Sequence, residues 1–401
     1  NDNEIDISKS DPNSSLLDWI RLEKQLHGTK EGCAEGDCGA CSILLSPVKG
    51  GKLRPANSCL LKLGQVVGSS VYTVEGLGSK KLPSPIQKSL TKYGGSQCGF
   101  CTPGFVIAIT SLLNHKEKPT EMDIHDALAG NLCRCTGYRP IVEAIKKIDG
   151  DIHLPECSKW SKCMNSKSET ASFFYPVSVE EAYELSYKND NTFYLSGGTD
   201  LNLSEISPSI KPNYILLNRI PSLNTIHEKN NEIHIGASVT LEDTLPYFEK
   251  FFPPFAEIIR RFGSSQIRSQ ATIAGNLCTA SPIGDTAPSL MALGASVEIF
   301  SNKKFKYLAV EDLFTDYRKT VLNPNDIITS IIIPLPEKEK FYYAWKVSKR
   351  HDQDISTTSI GALININKNK VIQSCRICFG GLSATPLRNR KLEDTLIGKD
   401  I

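Results

Sequence analysis

The chain has 401 residues, of which 40% are hydrophobic and 22% are charged, so it is long enough for about three globular domains. Its formal net charge is +2 with both signs mixed, which gives no argument for nucleic acid or an anionic membrane as a partner. The longest apolar runs, 104–113 and 327–335, are far shorter than the roughly 20 residues that span a bilayer.

Four of the thirteen cysteines form a first tight set, Cys33, Cys38, Cys41 and Cys59. Their C-x4-C-x2-C spacing, with a fourth cysteine 18 residues later, is that of a plant-type ferredoxin, in which four thiolates hold a 2Fe-2S cluster. Small residues between the ligands let backbone N–H groups approach the sulfurs. A structural zinc site and disulfide bonds are the alternatives, but zinc ligands usually come as two separated pairs, and the sequence shows no secretory context.

A second set, Cys98, Cys101, Cys133 and Cys135, is spaced as C-x2-C and C-x-C, which is not the ferredoxin pattern. Pro103 predicts a helix start ahead of an apolar run, so the first two cysteines lie at a helix N-terminus, whose partial positive charge favours thiolates. Further helices are predicted over 84–93, from 120 with a Thr-x-x-Asp capping box, and from 140. Together they predict a small four-helix bundle that holds a second cluster between helix ends.

The segments EGCAEGDCGACSILL, SQCGFCTPGFV and GNLCRCTGYRPI resemble the two iron-sulfur domains of the molybdenum hydroxylases, the family of xanthine dehydrogenase and aldehyde oxidase. The resemblance implies a β-grasp plant-type 2Fe-2S ferredoxin domain over 1–79 and a helical 2Fe-2S domain over 80–152. It also implies that Gln97 approaches a molybdopterin bound in another polypeptide. By residue type alone, Gln97 would be an ordinary surface amide.

Residues 153–171 are polar and irregular, which predicts a surface linker. Cys157 and Cys163 lie in it and are interpreted as bystander thiols, although an exposed linker cysteine can be oxidised or bridged.

An α+β pattern follows, with a helix over 179–187 and then a strand that runs into Gly197 and Gly198. Glycine removes the Cβ and lets a backbone approach a phosphate, and a second glycine-bearing stretch over 271–282 strengthens this interpretation. A Gly-Gly pair is also commonly no more than a turn. No G-x-G-x-x-G motif follows a strand, which disfavours a Rossmann domain.

The segments YLSGGTDL and TIAGNLCTASPIGD resemble the α+β FAD-binding domain of the same family, predicted over 172–338. The resemblance implies that both loops embrace the flavin nucleotide, that Asp285 binds a sugar hydroxyl and that Phe262 stacks on the flavin ring. An aromatic packed under its helix is the alternative for Phe262. The implied FAD contacts are Tyr194, Leu195, Ser196, Gly197, Gly198, Thr199, Asp200, Leu201, Phe262, Thr272, Ile273, Ala274, Gly275, Asn276, Thr279, Asp285, Ile328 and Lys346.

Residues 339–401 are predicted to be a C-terminal α/β flavoprotein domain that ends early, and the first strand of the ferredoxin domain is expected to lack its beginning. A KRxDQDIS stretch resembles the bacterial two-subunit xanthine dehydrogenases, which implies that Tyr317, Arg350 and Asp354 lie near the flavin and the nicotinamide. By residue type, such a charged loop is usually only solvated. Cys375 and Cys378 form a C-x2-C inside an apparent strand, where they would point to opposite faces, so they are interpreted as buried small residues.

The sequence shows no molybdenum domain, so the resemblance predicts a separate large molybdopterin-binding subunit, in a heterotetramer or a larger assembly. Electrons would pass from that partner through the bundle cluster and the ferredoxin-type cluster to FAD and then NAD+, because a flavin can exchange both one and two electrons. Substrate hydroxylation would take place in the partner, with xanthine favoured. Clusters that need thiolates favour the cytoplasm.

Three other functions stay open from the sequence. The first is the same role for an aldehyde, nicotinate or another heterocycle. The second is a free-standing NADH-dependent flavin iron-sulfur reductase. The third is a redox-sensing or scaffold protein that holds clusters without turnover.

Overall fold

The computed structural model describes residues 1, 3–46, 52–150, 152, 166–204, 206–207, 209–337 and 339–400. It divides into two compact units. The first comprises residues 1–175, 198–214 and 264–269, and the second comprises 176–197, 215–263 and 270–401. The five-part domain division expected from the sequence is finer than this division into two units, and it stays a prediction. The linker cysteines Cys157 and Cys163 lie outside the described residues.

The N-terminal part of the first unit is a three-stranded antiparallel sheet with a helix packed on it. The sheet order is Arg54–Asn57, Ser42–Ser46 and Ser70–Tyr72. A short helix, Leu16–Asp18, continues as a π-helical turn over Trp19–Glu23. Its apolar side chains Leu16, Trp19 and Ile20 share a buried core with Ile43, Leu45 and Ala56 of the sheet. This arrangement agrees with the predicted β-grasp ferredoxin domain.

Four helices follow, and their bounds agree with the predicted bundle. They are Pro85–Lys92, Thr102–His115, Glu121–Leu128 and Arg139–Lys146. Two of them begin with a capping box, Ser84 with Gln87 and Thr120 with Asp123, in which each side chain bonds the other residue's backbone N–H. One apolar face from each helix forms a common core, which holds the four helix ends in place.

The rest of the first unit consists of short elements. These are the strands Ser166–Lys167 and Ser172–Phe174, which pair antiparallel, the 3-10 turns Ser58–Leu60, Leu63–Val66, Val74–Gly76 and Leu201–Leu203, and the helix Ser265–Arg268. The strand Asn213–Leu216 carries the chain from the first unit into the second.

The second unit contains a five-stranded antiparallel sheet. Its order is Lys304–Ala309, Ser296–Ser301, Ile327–Pro334, Glu232–Gly236 and Ile226–Lys229. The other elements of this part are the strand Thr192–Leu195, a two-stranded ribbon of Phe314–Asp316 with Lys319–Thr320, the 3-10 turns Leu217–Arg219, Pro221–Asn224 and Val310–Asp312, and the helices Val179–Lys188, Leu241–Phe251, Pro253–Arg260, Ile273–Thr279 and Thr286–Leu293.

The C-terminal part of the second unit is a four-stranded, wholly antiparallel sheet. Its order is Lys340–Val347, Thr358–Ile366, Ile372–Gly380 and Leu387–Arg388, followed by the helix Arg390–Leu396. The buried helix Thr286–Leu293 lies against this sheet at Gly361, where a Cβ would come 2.5 Å from the Pro288 carbonyl oxygen. Cys375 and Cys378 are both buried in this sheet, as predicted.

A cluster of charges ties the turn at Glu311 to the C-terminal sheet. The Glu311 carboxylate accepts hydrogen bonds from Arg376 at 2.8 Å, Arg388 at 3.2 Å and Arg390 at 3.3 Å. Burial by itself would raise the pKa of Glu311, but the three guanidinium groups outweigh it, and the pKa is lowered.

Because of this network, we expect the second unit to lose stability as the pH falls. The pKa of Glu311 is lower in the folded state than in the unfolded chain. Its contribution to the free energy of unfolding is therefore complete above the pKa of the unfolded chain, and it is lost as pH falls through the pKa of the folded state. We expect the Glu311→Gln variant to lose less unfolding free energy than the native chain between about pH 5 and about pH 3, measured by urea unfolding. As a control, Glu228→Gln removes an exposed 3.1 Å pair with Lys250 and should follow the native curve. Equal losses in the native and Glu311→Gln chains would contradict the prediction.

Among the described residues, no helix combines the length and the apolar character needed to cross a bilayer.

Candidate functional site

The eight predicted cluster ligands come together as four pairs of thiols. In the first set, the Cys41 and Cys59 sulfurs lie 3.3 Å apart, and Cys33 lies beside Cys38, whose backbone N–H donates to the Cys33 sulfur at 3.4 Å. In the second set, the Cys98 and Cys135 sulfurs lie 3.6 Å apart, and Cys101 lies beside Cys133. A 2Fe-2S cluster takes two thiolates on each iron, so two pairs in each set fit one binuclear cluster in each set.

The thiol pKa values show the same pairing. In each pair one thiol has a lowered pKa and its neighbour a raised one: Cys33 and Cys38, Cys41 and Cys59, Cys98 and Cys135, Cys133 and Cys101. Burial is the largest influence at Cys33, Cys38, Cys101 and Cys133, and a backbone N–H donor is the largest at Cys98. At Cys41, Cys59 and Cys135 the largest influence is the thiol proton shared with the neighbouring sulfur. A metal replaces such protons when it binds. In the described part of the chain, no three His, Cys, Asp or Glu side chains converge on a point that could hold a single metal ion.

Backbone geometry opens the first cysteine loop toward the sulfurs. Ala34, Gly36 and Gly39 have φ angles of +59°, +89° and +67°, a region that glycine adopts without strain. The N–H groups of Glu35 and Cys38 both point at the Cys33 sulfur, at 3.5 Å and 3.4 Å. Burial tends to raise the pKa of Cys33, but these donors outweigh it and lower the pKa. The loop therefore stabilises negative charge on sulfur, as a cluster requires.

Two asparagines that the sequence analysis missed support the first cysteine loop. The Asn57 side-chain N–H donates to the Gly36 carbonyl at 2.7 Å, and the Asn131 side-chain N–H donates to the Gly39 carbonyl at 3.1 Å. Each asparagine stands two residues before a predicted ligand, Cys59 or Cys133, and both are buried. That repeated spacing was the available signal in the sequence.

At the second set, the thiols differ in exposure. Cys98 and Cys135 are exposed, whereas Cys133 is buried and its backbone N–H donates to the Tyr138 hydroxyl at 2.9 Å. Gln97, the residue predicted to approach molybdopterin, is also exposed. This cluster site therefore has one edge open to the surface of the unit.

The predicted flavin segment Tyr194–Leu201 is shared between the units, with residues 194–197 in the second unit and residues 198–201 in the first. Within the second unit, the two glycine-bearing stretches lie side by side, since a Cβ on Gly197 would come 1.9 Å from the Gln270 carbonyl oxygen. The Ser196 hydroxyl is buried without a hydrogen-bond partner among the described residues. A backbone this close and an unsatisfied hydroxyl fit a nucleotide-binding loop.

The second stretch forms a short helix after a capping residue. Thr272 caps Ile273–Thr279, and its hydroxyl accepts from the Gly275 N–H at 3.0 Å. The Asn276 amide oxygen accepts from Thr286 at 2.5 Å, and the Thr279 hydroxyl donates to the Gly275 carbonyl at 3.1 Å. These contacts fix the shape of the stretch.

Asp285 and Lys346, two predicted FAD contacts, bind each other. The Lys346 Nζ lies 2.7 Å from one Asp285 oxygen, and the other oxygen accepts from the Ser356 hydroxyl. The side chains are only 2% exposed for Lys346 and 8% exposed for Asp285. Lys346 also donates to the Arg261 carbonyl at 3.0 Å, next to Phe262, which is half-buried just beyond the helix Pro253–Arg260. The carboxylate of Asp285 is thus already satisfied within the protein, and its predicted contact with a sugar hydroxyl stays a prediction.

The residues predicted near the nicotinamide lie at the surface of the second unit. Tyr317 is exposed. The Asp354 carboxylate accepts from the Arg350 backbone N–H at 2.7 Å and from its guanidinium at 3.3 Å, and these bonds lower the pKa of Asp354. Arg261, which the sequence analysis missed, anchors this loop through bonds to the Lys346 carbonyl at 2.8 Å, the Ser348 hydroxyl at 3.0 Å and the His351 carbonyl at 3.2 Å. Ile328 is buried in the strand Ile327–Pro334.

Three family models match the chain. They are a 2Fe-2S binding domain over residues 73–146, an FAD binding domain in molybdopterin dehydrogenase over residues 167–336, and a CO dehydrogenase flavoprotein C-terminal domain over residues 343–401.

Curated relatives include the xanthine dehydrogenase of Oryza sativa subsp. japonica, which is 33% identical over 96% of this chain and 35% of that protein. The xanthine dehydrogenase/oxidase of Gallus gallus is 29% identical over 97% of this chain and 35% of that protein. The chain thus spans about a third of the length of these relatives.

Two solved structures share the fold. A CO dehydrogenase from Oligotropha carboxidovorans is 22% identical and a quinoline 2-oxidoreductase from Pseudomonas putida 86 is 19% identical, each with a TM-score of 0.53 over 57% of this chain and 80% of that one.

These domains define an iron-sulfur flavoprotein. The chain belongs to the molybdenum hydroxylase family, of which it carries the 2Fe-2S and FAD part.

Proposed function

We propose that this chain is the electron-transfer subunit of a xanthine dehydrogenase that oxidises xanthine and hypoxanthine to urate with NAD+ as acceptor. The observation that carries the proposal is the arrangement of eight cysteines as four thiol pairs in a chain that also contains an FAD binding domain. The xanthine dehydrogenase names of relatives matched over 96% of the chain favour this substrate over an aldehyde or another heterocycle.

The residues that would hold each cofactor are the predicted ones. Cys33, Cys38, Cys41 and Cys59 would bind one 2Fe-2S cluster, and Cys98, Cys101, Cys133 and Cys135 a second. The loops at 194–201 and 272–276 would hold FAD. When bound, the clusters would supply one-electron transfer, and the flavin would convert between one-electron and two-electron chemistry.

An exposed surface in the first unit suits a partner subunit. Gln97, Cys98 and Cys135 are exposed there, and so are the neighbouring apolar side chains Phe100 and Leu132. Apolar side chains exposed beside redox ligands favour a docking surface rather than a solvated one. We propose that a large molybdopterin-binding subunit covers this face, in an assembly with two copies of each subunit.

The acceptor side is proposed in the second unit. Arg261 holds residues 346–351 through three hydrogen bonds, and the Arg350–Asp354 pair orders the other end of the loop. An ordered loop beside the flavin domain is suited to shape a pocket for the nicotinamide of NAD+. Clusters that need thiolate ligands favour a reducing compartment such as the cytoplasm.

The test is cofactor and partner analysis of the protein purified from its native host. We expect about four iron atoms, one FAD and one molybdenum for each pair of subunits, together with xanthine-dependent NAD+ reduction. In the same preparation, Cys135→Ser should abolish one of two cluster signals in electron paramagnetic resonance (EPR) spectra and leave the FAD content unchanged. Cys375→Ser makes the same chemical change at a buried cysteine of the C-terminal sheet and should leave both cluster signals intact.

The alternatives give different results. Iron and FAD without molybdenum or a second chain would indicate the free-standing NADH-dependent reductase. Faster turnover of an aldehyde or nicotinate than of xanthine would reassign the substrate. Two unchanged cluster signals in Cys135→Ser would contradict its assignment as a ligand.

A further inference from the structure

The two cysteine loops of the first unit are joined directly by hydrogen bonds. The Leu132 N–H donates to the Cys38 carbonyl at 3.0 Å, and the Asn131 side-chain N–H donates to the Gly39 carbonyl at 3.1 Å. Leu132 immediately precedes Cys133. A single hydrogen bond therefore links the backbone of a predicted ligand in the first set to the residue next to a predicted ligand in the second set.

The two loops also pack without space for a side chain between them. A Cβ on Gly39 would lie 2.1 Å from the Gly130 carbonyl oxygen, and a Cβ on Gly104 would lie 2.3 Å from the Gly39 carbonyl oxygen. Both distances are shorter than the closest approach of a Cβ to a non-bonded carbonyl oxygen. The loop that contains Gly39 is therefore in backbone contact with the segments around both halves of the second cysteine set.

Two buried amides hold this contact in place. Asn131 is 2% exposed and Gln266 is 1% exposed. The Gln266 Nε2 donates to the Asn131 Oδ1 at 2.8 Å and to the Ser42 hydroxyl at 3.3 Å, and that hydroxyl donates to the Gly39 carbonyl at 2.7 Å. Asn131 thus has its acceptor fixed by Gln266 and its donor directed at Gly39. A buried amide with both ends bonded is rigid, since rotating it would leave polar atoms unsatisfied.

We propose that Asn131 and Gln266 are positioning residues that set the separation of the two cluster sites, and thereby the rate of electron exchange between them. The inference rests on the proposed function, because it requires a cluster in each set. Electron tunnelling falls exponentially with distance, so a loop contact of this kind controls the rate without taking part in any bond change. The exchange moves one electron, which oxidises one cluster as it reduces the other, and no covalent bond forms or breaks.

The experiment compares Asn131→Leu and Gln266→Met with the native complex. Leucine and methionine match the size of the replaced side chains and remove their hydrogen bonds. In the fully reduced native protein, we expect spin coupling between the two clusters to split their EPR signals. We expect this splitting to be lost or clearly reduced in Asn131→Leu. The electron exchange rate after rapid partial reduction should fall in both variants, because tunnelling weakens as the two cluster sites move apart. The iron content and the g-values of each cluster should stay unchanged.

The matched control is Asn202→Leu. Its side-chain N–H donates to the Leu60 carbonyl at 2.7 Å, next to the predicted ligand Cys59, but it does not bridge the two cysteine loops. Its splitting and exchange rate should equal those of the native complex. If Asn131→Leu loses iron, the test of the proposal depends on Gln266→Met alone. This variant retains Asn131 and therefore its hydrogen bond to the Gly39 carbonyl.

Two failures are distinguishable. A native complex without two cluster signals would refute the proposed function. Two coupled signals in the native complex, with the same splitting and rate in both variants, would overturn the role of Asn131 and Gln266.

Discussion

Gly104→Ala should destabilise the first unit and release iron, although alanine is usually the better helix residue. In an unhindered helix interior this change stabilises by up to about 1 kcal/mol. Gly104 lies near the start of Thr102–His115, where the new Cβ would come 2.3 Å from the Gly39 carbonyl oxygen and 2.7 Å from the Asn131 amide nitrogen. Because Gly39 lies between two predicted cluster ligands, the helix or the cysteine loop must move. Overpacking of this kind costs about 1–3 kcal/mol.

The prediction is measured by urea unfolding and by iron analysis of the same samples. We expect a lower midpoint without a change in slope, and less than the native iron content. Asn114→Ala introduces the same residue on the exposed side of the same helix and should be neutral or stabilising by up to about 0.7 kcal/mol. If Gly104→Ala is as stable as Asn114→Ala and keeps the native iron content, the prediction is wrong, because the cysteine loop around Gly39 then moves without a loss of unfolding free energy.

The clustering of the cysteines and the helix starts of the bundle could be predicted from the sequence because their signals are local, while the role of the cysteines as ligands stays a prediction. The first three cysteines of the first set lie within nine residues and the capping box at Thr120 spans four. The structure brings the cysteines of this set together and forms the capping box. Helix starts at Ser84 and Thr120 follow from side chains that bond the first turn. Local chemistry of this kind does not depend on the rest of the fold.

The residues that join distant segments could not be predicted in the same way. Gln266 is 135 positions from its partner Asn131, and Lys346 is 61 positions from Asp285. Nothing in the composition or periodicity of either segment selects its partner, since tertiary packing alone brings them together. Asp285 and Lys346 are separate FAD contacts in the prediction from the sequence, whereas they form one ion pair in the structure.

That ion pair carries the largest expected effect of a single substitution. Asp285→Ala leaves the Lys346 ammonium almost fully buried. Within the described part of the chain, it keeps a hydrogen bond to the Arg261 carbonyl but loses its ion-pair partner. Removing one partner of a buried pair costs about 3–5 kcal/mol, because the remaining charge is neither solvated nor compensated. We expect a marked fall in the urea midpoint of the second unit at neutral pH.

A double substitution separates the ion pair from other roles of Asp285. Asp285→Ala with Lys346→Met removes both charges, so most of the lost stability should return, as a buried pair replaced by apolar groups is often neutral. Glu184→Ala breaks an exposed 3.3 Å pair with Lys188 and should change stability by less than about 0.5 kcal/mol. A double variant no more stable than Asp285→Ala would contradict the pairing argument.

The same variants test whether Asp285 also binds the flavin nucleotide. If its only role is to neutralise Lys346, the double variant should regain FAD together with stability, because the helix Thr286–Leu293 and the strand Lys340–Val347 would again be held in place. If Asp285 binds a sugar hydroxyl, stability should return while FAD content stays low, since the alanine side chain at position 285 cannot accept that hydrogen bond. Titration of FAD into the stable double variant therefore separates the two roles, which Asp285→Ala alone cannot do because unfolding and cofactor loss would coincide.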